Sequence, residues 1–357
     1  MLWWKGVVLL GFLGLCEVGS CDNQDYLLSN GWIKIRKNGA RINVKNVRSL
    51  CPPVVPDSTT YLKVAGSSVL QELREETVKS LPALQDLILQ SIGIKKIFPG
   101  AFSNLPQLSR VNLKGNELRR ISKGVFNTLN ITELLLNRNK IKIIDSAAFD
   151  DMPRLEKIKL NSNSITKWDV NWFKNAPSLR VVLITRNFIE VIPEGALQNI
   201  QPSVEEVDDL PNLKLFFSKN KIHHIEPNAF RTRVAIGQLF LDRNNITVLN
   251  NRTFEGFKNV SMLNLARNNL TEIPRDLFSD GQTVRKFDLS ANRKLHCIPI
   301  EVAKVVRTLQ LENIDKLNCT CVGELKSHAK VIGLNGACFP LRRNPMLLIN
   351  QETSDGF

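Results

Sequence analysis

Between residues 110 and 292 the chain repeats one short phrase: an apolar residue, any residue, a second apolar residue, two free positions, then asparagine. It reads Val111-x-Leu113 before Asn116, Leu134-x-Leu136 before Asn139, Ile158-x-Leu160 before Asn163 and Val182-x-Ile184 before Asn187. It continues with Leu215-x-Phe217 before Asn220, Leu239-x-Leu241 before Asn244, Leu263-x-Leu265 before Asn268 and Phe287-x-Leu289 before Asn292. Successive asparagines stand 23, 24, 24, 33, 24, 24 and 24 residues apart. Branched residues follow most of them, as in Leu118 and Ile121 or Ile246 and Leu249, and a phenylalanine often closes the unit, at 102, 126, 149, 173, 230, 254 and 278. Apolar residues alternating with period two predict a short strand with one buried face. Such a strand cannot stand alone, so the copies must stack into one shared parallel sheet. The asparagine amide is suited to serve backbone donors and acceptors where the chain leaves each strand, and the phenylalanines to stack as a spine behind it.

The pattern extends beyond the asparagines. Leu62-x-Val64, with Leu70, Leu73, Val78 and Leu81, forms a degenerate first unit. Leu84, Leu87, Leu89, Ile94, Ile97 and Phe102 form the second, with Ile92 in the place of the asparagine, and Leu309-x-Leu311 begins a truncated last one. The predicted fold is an α/β solenoid, a leucine-rich-repeat horseshoe of about eleven units over residues 59–316. The long spacing marks an insertion of about nine residues near 201–211, containing Glu205-Glu206-Val207-Asp208-Asp209. An acidic run there is either a solvated loop or a contact element.

A solenoid exposes its core at both ends and needs covers. Residues 1–20 read as a secretory signal, with an apolar stretch from Val7 to Leu15 and small residues at Val18-Gly19-Ser20 before the cut. The apolar stretch is too short to span a bilayer of roughly 30 Å, no later stretch is long and apolar enough to do so, and the polar residues 350–357 carry no lipid-anchor signal. Residues 21–58 make the first cap: Trp32 to Arg36 and Arg41 to Val44 alternate around Asn38-Gly39, a strong hairpin signal. Residues 317–357 make the second. Without Cys16, the cysteines are Cys21, Cys51, Cys297, Cys319, Cys321 and Cys338, an even set grouped at the two ends. That distribution indicates an oxidising compartment, with Cys21 and Cys51 stapling the first cap. The expected localisation is secreted and extracellular.

Composition changes this picture in two respects. Formal net charge is +14, for which an anionic partner or a mere compositional bias are the alternatives. Six sequons, at Asn130, Asn245, Asn251, Asn259, Asn269 and Asn318, make the chain a candidate glycoprotein, and they argue against reading Ser20-Cys21 as the end of a bacterial lipid-attachment box.

In a solenoid of this kind, residues between the buried strand positions point out of the concave face. There Leu135, Lys159, Leu183, Phe216 and Phe240 are candidate binding residues, the last three forming an apolar stripe on successive rungs. Self-packing, or a slipped register beside the insertion, is the alternative. A second stripe stands just before the asparagines: Arg138, Arg186, Lys219, Arg243 and Arg267. It is a cationic rim or plain solvated decoration. Catalysis finds little support: there is no phosphate-binding glycine loop or nucleophile elbow, and His223-His224 on one extended segment point different ways. No enzyme activity, metal or cofactor is expected, and nucleic acid is disfavoured because no aromatic residues interleave a basic path.

Cys319-Thr320-Cys321 followed by Cys338-Phe339-Pro340 resembles the C-terminal flanking module of animal extracellular leucine-rich-repeat proteins. That module normally has a further cysteine downstream; here Cys297 is the available replacement. The resemblance implies Cys297–Cys319 with Cys321–Cys338, the crossed pairing being the alternative. The repeats resemble those of Toll-type receptors and slit-like guidance proteins. Ile35-x-x-Asn38-Gly39-x-Arg41, with Leu295-His296-Cys297, resembles the secreted leucine-rich immune proteins of mosquitoes. Longer members of that family continue into a coiled coil; this chain has no heptads, which points to a short, coil-less relative. The resemblance implies innate immune recognition, of a microbial surface component such as an anionic glycan or of a complement-like humoral protein. A matrix or cell-adhesion ligand in development is the alternative.

Overall fold

The computed structural model describes residues 32–37, 40–45, 50, 52, 55–65 and 70–334, apart from 128, 201–212, 232–234, 256 and 280. The signal segment, Cys21, Cys51, Cys338, the Asn38-Gly39 turn and the acidic insertion lie outside the described residues.

One 15-stranded sheet runs through the molecule. It opens on the cap hairpin, β1 (Trp32–Lys37) and β2 (Ala40–Lys45), paired antiparallel with Ile35 opposite Ile42. β1 then pairs antiparallel with β3 (Tyr61–Ala65), so the hairpin closes the first edge of the array. From β3 onward every pairing is parallel. The strands are β4 (Asp86–Ile88), β5 (Arg110–Asn112), β6 (Glu133–Leu135), β7 (Lys157–Lys159), β8 (Val181–Leu183), β9 (Leu213–Phe216), β10 (Ile236–Phe240), β11 (Met262–Asn264), β12 (Thr283–Asp288) and β13 (Val306–Gln310). Strands β3 to β13 are the eleven expected rungs. A further strand, β14 (Lys330–Ile332), comes from the C-terminal cap and extends the sheet by one parallel rung. There is little helix: α1 (Ile300–Val305) lies in the last unit and α2 (Cys319–Leu325) in the cap.

The asparagine ladder accounts for the strand exits. Asn163 accepts from Ile141 N–H at 3.0 Å and donates to the Leu136 and Leu160 carbonyls at 3.0 and 2.9 Å. The same scheme recurs from Asn116 to Asn292, which is wholly buried. Each amide thus joins its own unit to the one before it, satisfying groups that burial would otherwise leave unpaired. Across the insertion the link holds: Asn220 still accepts from Ile189 N–H and donates to the Ile184 carbonyl.

Curvature follows from two spacings. Parallel strands lie about 4.8 Å apart, while the phenylalanine spine on the far side is wider. Phe102, Phe126, Phe149 and Phe173 stack at 6.0, 6.4 and 5.6 Å between centroids, and Phe230, Phe254 and Phe278 at 5.9 Å each. The rungs are spaced more widely along the ring spine than along the strands, so the stack bends toward the sheet. Leu197, wholly buried, fills the gap between the two runs of rings.

The C-terminal pairing differs from expectation. Cys297 bonds to Cys321, not Cys319, with Cα atoms 5.9 Å apart. Cys319 is itself disulfide-bonded. The reason is helical: Cys319 and Cys321 both sit on the first turn of α2, where residues two apart project in different directions, so only one of them can meet Cys297. No feature of Cys-Thr-Cys shows which.

Candidate functional site

Strand register sets the concave row. Leu135 is opposite Lys159, Lys159 opposite Leu183, Leu183 opposite Phe216, Phe216 opposite Phe240, and Phe240 opposite Asn264. The register has one irregularity, between Leu213 and Lys214, where Gly237 of the partner strand is left over, and it is absorbed before Leu215 pairs with Leu239. Phe216 and Phe240 therefore stay on one line, half-buried, their rings stacked 4.8 Å apart and 8° from parallel. That is the strand spacing itself. Leu183 is also half-buried and completes the stripe.

Leu135 does not belong to it. It is only 4% exposed, on a rung between those of Asn112 and Lys159. A single leucine on that row sinks between such neighbours, whereas three consecutive apolar residues, two of them aromatic, cannot.

The polar members of the row are engaged locally. Asn112, Asn264 and Asp288 each accept, through Oδ1, the backbone N–H two residues on, Lys114, Ala266 and Ser290 respectively. These contacts fix the strand exits.

The basic residues before the asparagines occupy a special backbone position. Arg138, Arg186, Lys219, Arg243 and Arg267 all have φ between 56° and 59°, as the chain turns off the strand. At the same position stand Gly115, Ser162 and Ala291. The left-handed region costs a residue other than glycine roughly 1–2 kcal/mol, yet four successive rungs, from Arg186 to Arg267, carry a long cation there. Arg138, Arg186, Arg243 and Arg267 are exposed and Lys219 is half-buried. The cations thus line the edge where the strands end, beside the Phe216–Phe240 pair.

Sequence reasoning misses two features of this face. On the row two residues earlier, Glu133 lies 3.0 Å from Arg110, 3.1 Å from Lys157 and 3.7 Å from Lys159. Burial alone would raise its carboxyl; the hydrogen bond and charge of Lys157, with the charges of Arg110 and Lys159, outweigh that and hold it below the ordinary glutamate range. Burial and then the charge of Lys157 lower Lys159, with Glu133 opposing. Asp86 lies 4.0 Å from Arg110, so two carboxylates face three cations and the cluster stays net positive. The residues come from four strands at positions the repeat does not constrain, so only the register reveals them. The second feature is Phe188, 42% exposed, with the Lys221 ammonium 4.9 Å from its ring centre. It follows Arg186 and Asn187 on the rim.

All six sequon asparagines, Asn130, Asn245, Asn251, Asn259, Asn269 and Asn318, are exposed. Asn245 and Asn269 are adjacent, the amide of one donating to the other. His223 and His224 are both exposed. Among the described residues no cluster of three His, Cys, Asp or Glu could hold a metal ion, and no helix is long and apolar enough to cross a membrane.

Comparison with known proteins agrees with this architecture. Residues 71–204 match a BspA-type leucine-rich-repeat region in six copies, and residues 235–293 match a leucine-rich repeat. The NT-3 growth factor receptor of Gallus gallus is 36% identical over 80 residues, 22% of this chain and 10% of the receptor. The Homo sapiens receptor is 28% identical over 118 residues, 33% of this chain and 12% of the receptor. The matched segment is thus about a tenth of those relatives' length. Among solved structures, the TLR13–ssRNA13 complex aligns with a TM-score of 0.57 at 19% identity, covering 75% of this chain and 42% of that one. The Toll–Spatzle complex of Drosophila aligns at 0.53 and 20%, covering 71% and 37%. With the repeat, the amide ladder and these neighbours in agreement, the chain is a leucine-rich-repeat protein.

Proposed function

We propose that this is a secreted recognition protein of innate immunity, binding a microbial surface component or a humoral protein on the concave face. The observation that carries the proposal is the stacked Phe216–Phe240 pair, held half-buried on consecutive rungs with Leu183 beside it. Aromatic residues in a shallow apolar stripe are the usual anchors of a macromolecular interface. The rim of Arg186, Lys219, Arg243 and Arg267, the Glu133 cluster and the net charge of +14 favour a ligand with anionic groups. The disulfide at Cys297–Cys321, and exposed sequons able to carry glycans, support an extracellular setting; loss of mass on amidase treatment of protein recovered from the medium tests that part. The neighbours are in keeping with the reading, one solved with Spatzle and described as a hub in development and innate immunity, the other solved with single-stranded RNA.

A second reading, a matrix or adhesion ligand in development, is favoured by the local likeness to the NT-3 growth factor receptor. Capture from the protein's own extracellular fluid names the ligand and separates the two. Calorimetry then tests the face. Phe216→Ala with Phe240→Ala should leave folding intact and weaken binding about 30-fold, or ~2 kcal/mol for two half-buried rings. Unchanged affinity rules the stripe out as the site.

A further inference from the structure

The outer side of the solenoid carries short paired strands at only some of its turns. Arg120–Ile121 pairs with Ile143–Ile144, and Val191–Ile192 with His224–Ile225. The turn between these pairs, residues 165–170, joins neither. It departs from the repeat at two positions. Trp168 stands five residues after Asn163, where Ile144 and Ile192 stand after their asparagines, and Trp172 precedes Phe173 where Ala148 and Ala196 hold the equivalent places. Both indoles are buried. Trp168 packs on Phe217 at 5.1 Å, on Trp172 at 5.3 Å and on Phe173 at 5.8 Å, and donates to the Ala196 carbonyl at 2.8 Å. The two indoles bring more bulk to this turn than the isoleucine and alanine at the equivalent places of its neighbours.

A cavity of about 520 Å³ opens at this turn, lined largely by apolar groups that include Ile143, Ile144, Trp168, Trp172 and Pro193. Its volume falls in the range of small-molecule sites. Ile143, 47% exposed, stands at the mouth, among the few large apolar side chains so exposed in the described residues. The charged groups lining the cavity are Lys142, Lys167 and Asp169. The Asp169 carboxylate is engaged by Asn171 N–H at 2.8 Å and Ser146 at 3.4 Å, whereas neither lysine has an ion-pair partner among the described residues. The Trp172 indole N–H, buried in the wall, finds no acceptor.

We infer that this cavity is a second binding site, distinct from the concave face, for a single free amphiphile with an apolar body and one negative charge. The body lies against Trp168, Ile144 and Pro193, and the anionic group meets Lys142 and Lys167. Charge complementarity selects the class: the mostly apolar lining offers few hydrogen-bond partners to a polyhydroxyl guest, and two lysines without an ion-pair partner among the described residues disfavour a neutral or cationic one.

The test uses the full chain with anilinonaphthalene sulfonate, an aromatic monoanion that brightens in apolar sites, and N-phenyl-1-naphthylamine, its neutral analogue. The sulfonate should bind saturably, one per chain, with energy transfer from tryptophan. Ile143→Glu, at an exposed position that should not affect folding, removes apolar surface and opposes the sulfonate, and should weaken it at least tenfold. The neutral analogue should bind at least fivefold more weakly, and Lys142→Ala with Lys167→Ala should erase that difference. Phe216→Ala with Phe240→Ala should change nothing, which separates this site from the concave stripe. Equal binding by Ile143→Glu, equal binding of the two probes, or loss of binding in the phenylalanine variant would each overturn the assignment.

Discussion

Asn116 and Asn163 hold the same place in the repeat and are equally buried, yet replacing them should have unequal effects. In Asn163→Ala the Ile141 N–H loses its acceptor. The two carbonyls that Asn163 served each keep another amide, Leu136 that of Asn139 and Leu160 that of Asn187. One orphaned donor and two half-served carbonyls amount to about 3 kcal/mol. Asn116 is the first rung of the ladder, because Ile92 stands where an earlier asparagine would be. Its Oδ1 accepts from both Ile92 and Ile94 N–H at 3.1 Å, and its amide is the donor to the Leu89 carbonyl, at 2.7 Å. Only Leu113 keeps a second amide, that of Asn139. Three groups are then stranded, and the loss should be about 6 kcal/mol. Urea unfolding of both variants gives the comparison. Because repeat arrays can unfold in parts, hydrogen exchange at Ile94 and Ile141 should be read alongside. Equal losses, or a larger loss for Asn163→Ala, would refute the idea that each carbonyl is doubly served along the interior of the ladder.

Two further outcomes are expected. Glu133→Gln should destabilise by about 1 kcal/mol at neutral pH, a modest figure for a partly exposed network. Since the folded state holds the Glu133 carboxyl below its ordinary value, wild-type stability from this group is present above the unfolded value near 4.5 and is lost as pH falls through the lower folded one. The two proteins should therefore converge in acid, and a constant gap between pH 3 and pH 7 would count against the cluster. Cys297→Ser should cost about 3 kcal/mol for a loop of this size, with early exchange confined to β13, β14 and α2. Peptide mapping of the wild type should recover Cys297 joined to Cys321, and recovery of Cys297 with Cys319 would contradict the bond seen here.

Much of the molecule is legible in one dimension because a solenoid repeats the same local problem. Each unit meets only its neighbours, so the spacing of Leu134, Leu136 and Asn139 is enough to assign a strand, its buried face and its exit. The hairpin before the repeats and the outward position of Leu183, Phe216 and Phe240 follow from the same periodicity. What the pattern leaves open depends on neighbours 24 or more residues away. Leu135 satisfies the rule for an exposed position yet is buried. Glu133 gathers cations from strands whose pairing no local pattern records. The choice of Cys321 over Cys319 depends on which side of a helical turn faces Cys297. The outer cavity is lined from two successive turns, by Ile143 and Ile144 on one and Trp168 and Trp172 on the next. Periodicity determines which side of the chain each residue occupies; packing between turns decides whether it is covered, paired or open.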